Sequence, residues 1–301
     1  MHLDSISKFP EFEKLSLSHQ KEIGQFVDQF LPYNDYGFMA LYCWDVHNTT
    51  LVSNLNDNLI IIINDYNSDD LIMGVMGEVL RKEDVEVLLN YCESLGLKKQ
   101  LKLIPEHLIN EDISQNFQVE EDEGNNDYIY DAESFITYTG RRLRSKKNLF
   151  NRFVKNNSNF QVLKIDPFCE NALAQCEELL RHCHNKESDF LDEEKKIIKK
   201  SLSTKSLDIE LVTVFVNDKI AWFCIYEILK QGYLGLHFEK FDTDYEGINA
   251  FCKTQIAKIA LENNCKYINF EQDLGIEGLR LGKKSFCPVT YLKKYIIKNR
   301  I

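Results

Sequence analysis

Three acids, one arginine and two lysines are packed around three glycines in Asn269-Phe-Glu-Gln-Asp-Leu-Gly-Ile-Glu-Gly-Leu-Arg-Leu-Gly-Lys-Lys-Ser-Phe-Cys-Pro288. The segment follows directly on the apolar run Cys265-Lys-Tyr-Ile-Asn-Phe270. A core strand that empties into such a loop is where α/β folds commonly place a ligand. Arg280 and Lys283 are three residues apart and share one face of a helix, so together they suit a carboxylate, a phosphate or a lipid head group. The competing reading is a solvated loop laced with surface ion pairs.

A second group of reactive types lies on the strand-like run Tyr233–Phe241. His237 and Glu239 alternate there and face one side, while Phe238 and Lys240 face the other. A general base that frees an attacking amine needs a carboxylate or imidazole near its proton. Glu239, Glu271 and Asp273 are the candidate bases, with His237 behind them. Tyr291, on the last strand, is the candidate proton donor to a leaving oxygen. In a second arrangement Asp273 fixes a substrate ammonium while Arg280 and Lys283 hold its anionic part. Against these stand a plain Glu239–Lys240 edge ion pair and a tyrosine that packs in the core with a wet tip.

The third group is Gly140-Arg-Arg-Leu-Arg-Ser-Lys-Lys-Asn-Leu-Phe-Asn-Arg-Phe-Val-Lys155. On a helix it carries Arg141, Arg142, Arg144, Lys146, Lys147 and Arg152 as a cationic patch, in a chain whose formal charge is −11. RNA phosphates are one good reason for such a patch, and tRNA is the partner it would suit. Neutralisation by the chain's own acids, such as 120–123, is the alternative.

Cys169, Cys176 and Cys183 recur every seven residues with His182 and His184 at the end of the stripe. Two-turn spacing does not converge ligands on an ion, so these read as buried thiols and no metal is expected. The aromatic set Tyr33, Tyr36, Phe38, Tyr42 and Trp44 reads as core. There is no P-loop, Gly-x-Ser-x-Gly elbow or His-Glu-x-x-His motif.

The elements that must position these groups follow from pattern and punctuation. Residues 17–31 have helical spacing and stop at Pro32; 50–55 and 59–64 read as a strand pair; Lys82–Ser94 reads as a helix closed by Gly96. The acidic, turn-like stretch 120–127 is the clearest break. Beyond it come a long helix over 132–155, helices over 169–184 and 193–203, and three strands over 209–216, 220–229 and 233–241. Asn217-Asp218 and Gln231-Gly232 are the hairpin turns between those strands. Gly247 opens a helix to about 263, which returns to a strand at 266–270; a last strand covers 289–298. Helices, an antiparallel meander, a crossover helix and a returning strand describe an α+β transferase module.

At 301 residues the chain is long enough for about two domains, and 44% hydrophobic with 28% charged residues is ordinary for a globular protein. The acidic balance disfavours a surface that binds nucleic acid or anionic membrane everywhere. No apolar run approaches the roughly 20 residues of a spanning helix. With no signal-like start and nine cysteines that lack tight pairing, reduced thiols and a cytoplasmic location are expected.

Four motifs, taken in order, resemble a known family. They are Asp127-Tyr-Ile-Tyr130; Gly140-Arg-Arg-Leu143 with Lys146-Lys-Asn148 and Asn151-Arg-Phe153; His237-Phe-Glu-Lys240 with Gly247-Ile-Asn249; and Asn269-Phe-Glu-Gln-Asp-Leu-Gly275 with Gly278-Leu-Arg280, Lys283, Ser285 and Pro288. Order and spacing over roughly 127–290 are similar to the stand-alone relatives of the phosphatidylglycerol lysyltransferase C-terminal domain; the first 120 residues match only in general character. The resemblance implies two tandem GNAT-like domains, α+β, with mixed, mostly antiparallel sheets flanked by helices. The expected division is 1–131 and 132–301, with the site in the second.

The membrane-bound members move an aminoacyl group from a charged tRNA to a lipid head group. The resemblance therefore implies an acyl or aminoacyl transferase acting on an amine or hydroxyl acceptor, by direct attack and without a metal. Aminoacyl-tRNA or acyl-CoA would be the co-substrate, and a small molecule or lipid head group the acceptor. The multi-span membrane portion of those members has no counterpart here. Arg280, Lys283, Lys240, Gly247, Asn249 and Ser285 are the expected substrate or anion contacts. Free N–H groups at the helix start near Gly247 suit a phosphate. The usual acyl-CoA loop is broken, because Asp244 falls at its basic position and Asn249 at its last small one. One cleft is expected to gather the end of the 266–270 strand, the helix opened at Gly247, Arg280 and Lys283. The alternative is a non-catalytic module of the same fold that binds RNA, a peptide or an anionic metabolite.

Overall fold

The computed structural model describes residues 2–68, 70–184 and 191–300, without the side chains of 184, 191 and 192. His184 of the cysteine stripe thus lies outside the described side chains. The chain forms two compact units. The first holds Met1–Asp127, Gln272–Arg280 and Tyr291–Ile301; the second holds Tyr128–Glu271 and Leu281–Thr290. Where the sequence divides once, at 131/132, the chain here passes at 127/128 and then returns twice to the first unit. Among the described residues, no helix is long and apolar enough to cross a membrane.

In the first unit Leu51–Leu55 and Asn58–Asn64 pair antiparallel, with Leu71–Met76 beyond them. Asn56 and Asp57 both have positive φ, 50° and 62°, the type I′ geometry that matches strand twist in a two-residue hairpin. Helix Lys82–Ser94 ends as its sequence asks: Gly96 at φ 73° lets its N–H reach the Glu93 carbonyl and the Leu97 N–H reach that of Cys92. Ile60, Ile62, Val75, Leu88, Leu101 and Ile297 meet in the core of this unit.

The acidic stretch 120–127 is not a plain break. Glu120 and Glu121 belong to strand Phe117–Glu121, which pairs with the last strand, Lys294–Asn299. The expected strand over 289–298 is accordingly two pieces, Thr290–Leu292 and Lys294–Asn299. Lys294 is fully buried between Asp35 and Asp127, its Nζ 2.8 Å from Asp127 Oδ1. Burial pushes the Asp127 carboxyl up to about 6 against the pull of Lys294, and the Asp35 charge adds to the rise.

The second unit is built on the strands Asp127–Asp131 (from Tyr128 on), Tyr267–Asn269, Tyr233–Phe241, Lys219–Leu229, Glu210–Val216 and Phe160–Ile165, which neighbour one another in that order. The meander turn at Asn217-Asp218 has φ 49° and 62°, again the geometry of a two-residue hairpin. Helix Ile248–Glu262 crosses over and returns the chain parallel to Tyr233–Gly235 as Tyr267–Asn269. The α+β class with mostly antiparallel sheets is as expected.

One expected helix is divided. The stretch 132–155 forms Ala132–Thr137 and Arg144–Asn156, joined through a 3-10 turn at Arg141–Leu143. Tyr138 at φ 46° and Gly140 at φ 92° leave the right-handed helical region and end the first piece.

Candidate active site

The meander and the crossover helix together create an opening in the second unit's sheet. Ile225 pairs with Phe238 and Tyr226 with Leu236, so His237 is the extra residue of a bulge. The parallel ladder with Tyr267–Asn269 reaches only Gly235. Past it the second strand turns away: Phe270 N–H donates to the Tyr128 carbonyl, and Tyr128 N–H donates to that of Glu271. Glu271 takes φ 57°, a conformation uncommon outside glycine.

Two acids clasp the bulged residue. His237 Nε2 is 2.7 Å from Glu227 Oε2, and Nδ1 is 3.1 Å from Glu271 Oε1. Its side chain is only 1% exposed. Burial opposes the charged form, yet hydrogen bonds and charge from Glu227 and Glu271 outweigh it and lift the imidazole to about 10. His237 therefore holds both protons at neutral pH and is a donor, where the sequence places a reserve base. Glu227 had no place in that reading. A lone acid inside the apolar strand run Trp222-Phe-Cys-Ile-Tyr-Glu-Ile-Leu229 was the available signal.

Glu239 is engaged differently. Trp222 Nε1 donates to its Oε1 at 3.0 Å and Lys253 Nζ to its Oε2. Lys253 comes from the crossover helix, is 7% exposed, and rests 4.0 Å above the Phe270 ring. The Glu239–Lys240 edge pair is replaced by this one, and Lys240 meets Glu194 at 3.0 Å. Lys253 too was readable as a cation inside the apolar run Ile248-Asn-Ala-Phe-Cys-Lys-Thr-Gln-Ile-Ala257.

Arg280 and Lys283 share the helix Glu277–Lys284 but are held by different partners. Within the first unit Arg280 Nε is 2.8 Å from Asp273 Oδ2 and its terminal nitrogen 3.2 Å from Oδ1, a two-point pair with a buried carboxylate. Tyr291 is in that unit as well; burial and the Asp273 charge raise its hydroxyl. Within the second unit Lys283 Nζ donates to the backbone carbonyls of Phe270 and Glu271. It thereby fixes the bend that presents Glu271. Ser285 is exposed and donates to the Gly282 carbonyl, a helix-end bond.

At the head of the crossover helix, Gly247 has φ 86°, and a Cβ there would stand 2.0 Å from the Leu149 carbonyl oxygen. Close approach of the basic helix, Arg144–Asn156, requires glycine at this point. Asn249 Oδ1 is buried with no hydrogen-bond partner among the described residues.

The basic segment divides by exposure. Arg141, Arg142, Arg144 and Lys147 are exposed, while Arg152 pairs with Glu246. Glu120 and Glu121, offered as neutralising acids, are engaged by Lys298 and Lys293. Lys146 is half-buried with its Nζ 3.9 Å above the Phe286 ring. Burial lowers its pKa, and the like charge of Lys253 adds to the shift. None of the nine cysteines is in a disulfide, and burial pushes the Cys176 thiol up to about 12.

The chain matches the family described as phosphatidylglycerol lysyltransferase, C-terminal, over residues 28–298. It belongs to that family. The match includes most of the first unit, where the residues themselves show only a general likeness. No curated protein matches the chain in sequence. Among solved structures it is similar to a conserved protein of unknown function from Bacteroides thetaiotaomicron, at 24% identity over 96% of this chain and 99% of that one, TM-score 0.81. It is also similar to L-PGS from Bacillus licheniformis, at 13% identity over 95% and 93%, TM-score 0.63. FemX shares 11% identity over 96% and 97%, TM-score 0.59. These likenesses show a shared fold.

Proposed function

We propose that the protein is an acyltransferase that moves an aminoacyl group from aminoacyl-tRNA to an amine or hydroxyl acceptor in the second unit. The observation that carries this reading is the parting of the Tyr233–Phe241 and Tyr267–Asn269 strands just before the Glu227–His237–Glu271 clasp. An opened sheet of this kind lets an extended donor lie between strands with its reacting carbonyl near the clasp. Membership of a family described as a lysyltransferase supports the reaction class.

Glu271 is the proposed proton acceptor. A group that takes a proton from an ammonium nucleophile must be a carboxylate or imidazole within reach of that proton, and Glu271 is the carboxylate at the bend where the two strands part. Glu239 is held by Lys253 and Asp273 by Arg280, and Glu271 is itself paired with His237; what sets Glu271 apart is its place at that bend. The acceptor then attacks the acyl carbonyl: a C–N or C–O bond forms, the ester C–O bond to the donor breaks, and the leaving oxygen takes a proton. Positioning and stabilisation of the oxyanion supply the rate. The exposed cations at 141, 142, 144 and 147 suit the phosphates of the tRNA. Aminoacyl-tRNA is favoured over acyl-CoA because Asp242 and Asp244 precede the crossover helix, where a pyrophosphate would meet like charge.

The test offers charged tRNAs and acyl-CoA thioesters, each with a labelled acyl group, alongside a panel of amines, glycerols and phospholipid head groups. Transfer from charged tRNA that falls sharply in E271Q is the expected result. Labelled product from acyl-CoA alone would reassign the donor. No product from either, with RNA binding retained, would favour the non-catalytic module, to which the exposed basic residues are equally suited.

A further inference from the structure

Helix Glu170–His184 and the loop between strand Tyr233–Phe241 and the crossover helix bring an imidazole and two carboxylates together. His182 Nε2 lies 3.1 Å from Asp242 Oδ2 and 3.5 Å from Asp244 Oδ2. All three ligand atoms fall within 4.8 Å of one another. Among the described residues this is the one such group.

From this convergence we infer a binding site for a divalent first-row transition ion, held by His182, Asp242 and Asp244. The two separations from His182, 3.1 Å and 3.5 Å, lie near those a single ion imposes. Bonds of about 2.1 Å at angles between 90° and 110° place neighbouring ligand atoms about 3.0–3.4 Å apart. The ligand types fit too. One imidazole with two carboxylates suits zinc, manganese, cobalt or nickel, whereas magnesium and calcium prefer oxygen alone. The two carboxylates carry like charge at short range, and a dication between them removes that repulsion.

The mounting is that of a site and not of loose side chains. The Asp242 side chain is 11% exposed, its backbone N–H donates to the Ala221 carbonyl, and its Oδ1 accepts from the Asp244 N–H at 3.0 Å. Its Oδ2 is the oxygen turned to His182. His182 and Asp244 are 49% and 64% exposed, which leaves one side of the ion open to water or a ligand oxygen. Cys183, next along the helix, points its Sγ at the Phe241 carbonyl and is not among the ligands.

The test is equilibrium binding of Zn2+, Mn2+ and Co2+, each alone, to the full chain stripped of metal, with the Co2+ absorption spectrum as reporter. One ion per chain is expected, with a Co2+ spectrum showing nitrogen and oxygen ligation. H182A and D244N alter exposed side chains and keep the fold. Each should weaken binding by more than the roughly 10–100-fold that loss of an outer-shell partner costs. D242N is read only if its thermal transition matches that of the parent. Failure of all three ions to bind at 0.1 mM overturns the site, as does binding untouched by both H182A and D244N. An ion bound there would offset the like charge that Asp242 and Asp244 present to a pyrophosphate, so donor choice and acyl transfer are measured separately, on the metal-free chain.

Discussion

His237 and Glu227 are locked side to side across the bulge of the central hairpin, with Nε2 and Oε2 2.7 Å apart. Because Glu271 holds the other ring nitrogen, the imidazole stays charged up to about pH 10. Its folded pKa is raised, so its stabilisation is complete below the ordinary histidine value of about 6.5 and fades as pH climbs towards 10. Denaturant titrations between pH 6 and 10 should show this decline. H237Q should lack it and lose about 3–5 kcal/mol at neutral pH, since two buried carboxylates then face each other uncompensated.

Lys253 and Glu239 form the second buried pair. Removing one partner strands a charge, so K253M or E239Q should each cost about 3–5 kcal/mol in urea unfolding. The double variant should recover much of that loss. A double variant as unstable as the sum of the singles would show that the pair is not coupled.

Lys146 carries a lowered pKa from burial and from its neighbour Lys253. At pH 8 it should react with an amine-selective anhydride several-fold faster than exposed lysines such as Lys147, as read by peptide mass mapping. Loss of the like charge in K253M should slow that reaction if the fold is kept. An unchanged rate would place the cause in burial alone.

The exposed basic residues should show in the salt dependence of tRNA binding. Replacing Arg141, Arg144 and Lys147 with glutamine should reduce the slope of log affinity against log salt by about 2–3. A slope unaltered by the triple change would remove the basic segment from the RNA contact.

Lys294 stands between two carboxylates with no exposure at all. K294M should destabilise the first unit more than any surface lysine change does, and should raise the Asp127 carboxyl further by removing the cation that restrains it. Infrared titration of the carboxyl band would follow that rise.

What the sequence determined by itself is local. The helix Lys82–Ser94 with its Gly96 stop, the Asn56-Asp57 and Asn217-Asp218 turns, the crossover after Gly247 and the cationic helix are written in periods of two and 3.6 and in residues that tolerate positive φ. Motif order sufficed to indicate the family. The partner of each charge was left to the tertiary structure. Glu227 meets His237 only because a one-residue bulge re-aims the strand. Lys253 meets Glu239 only because the crossover helix packs across the sheet. His182 reaches Asp242 and Asp244 from some sixty residues away. Charge pairing acts through space and leaves no periodic trace along the chain, so which partner each acid takes was decided by packing.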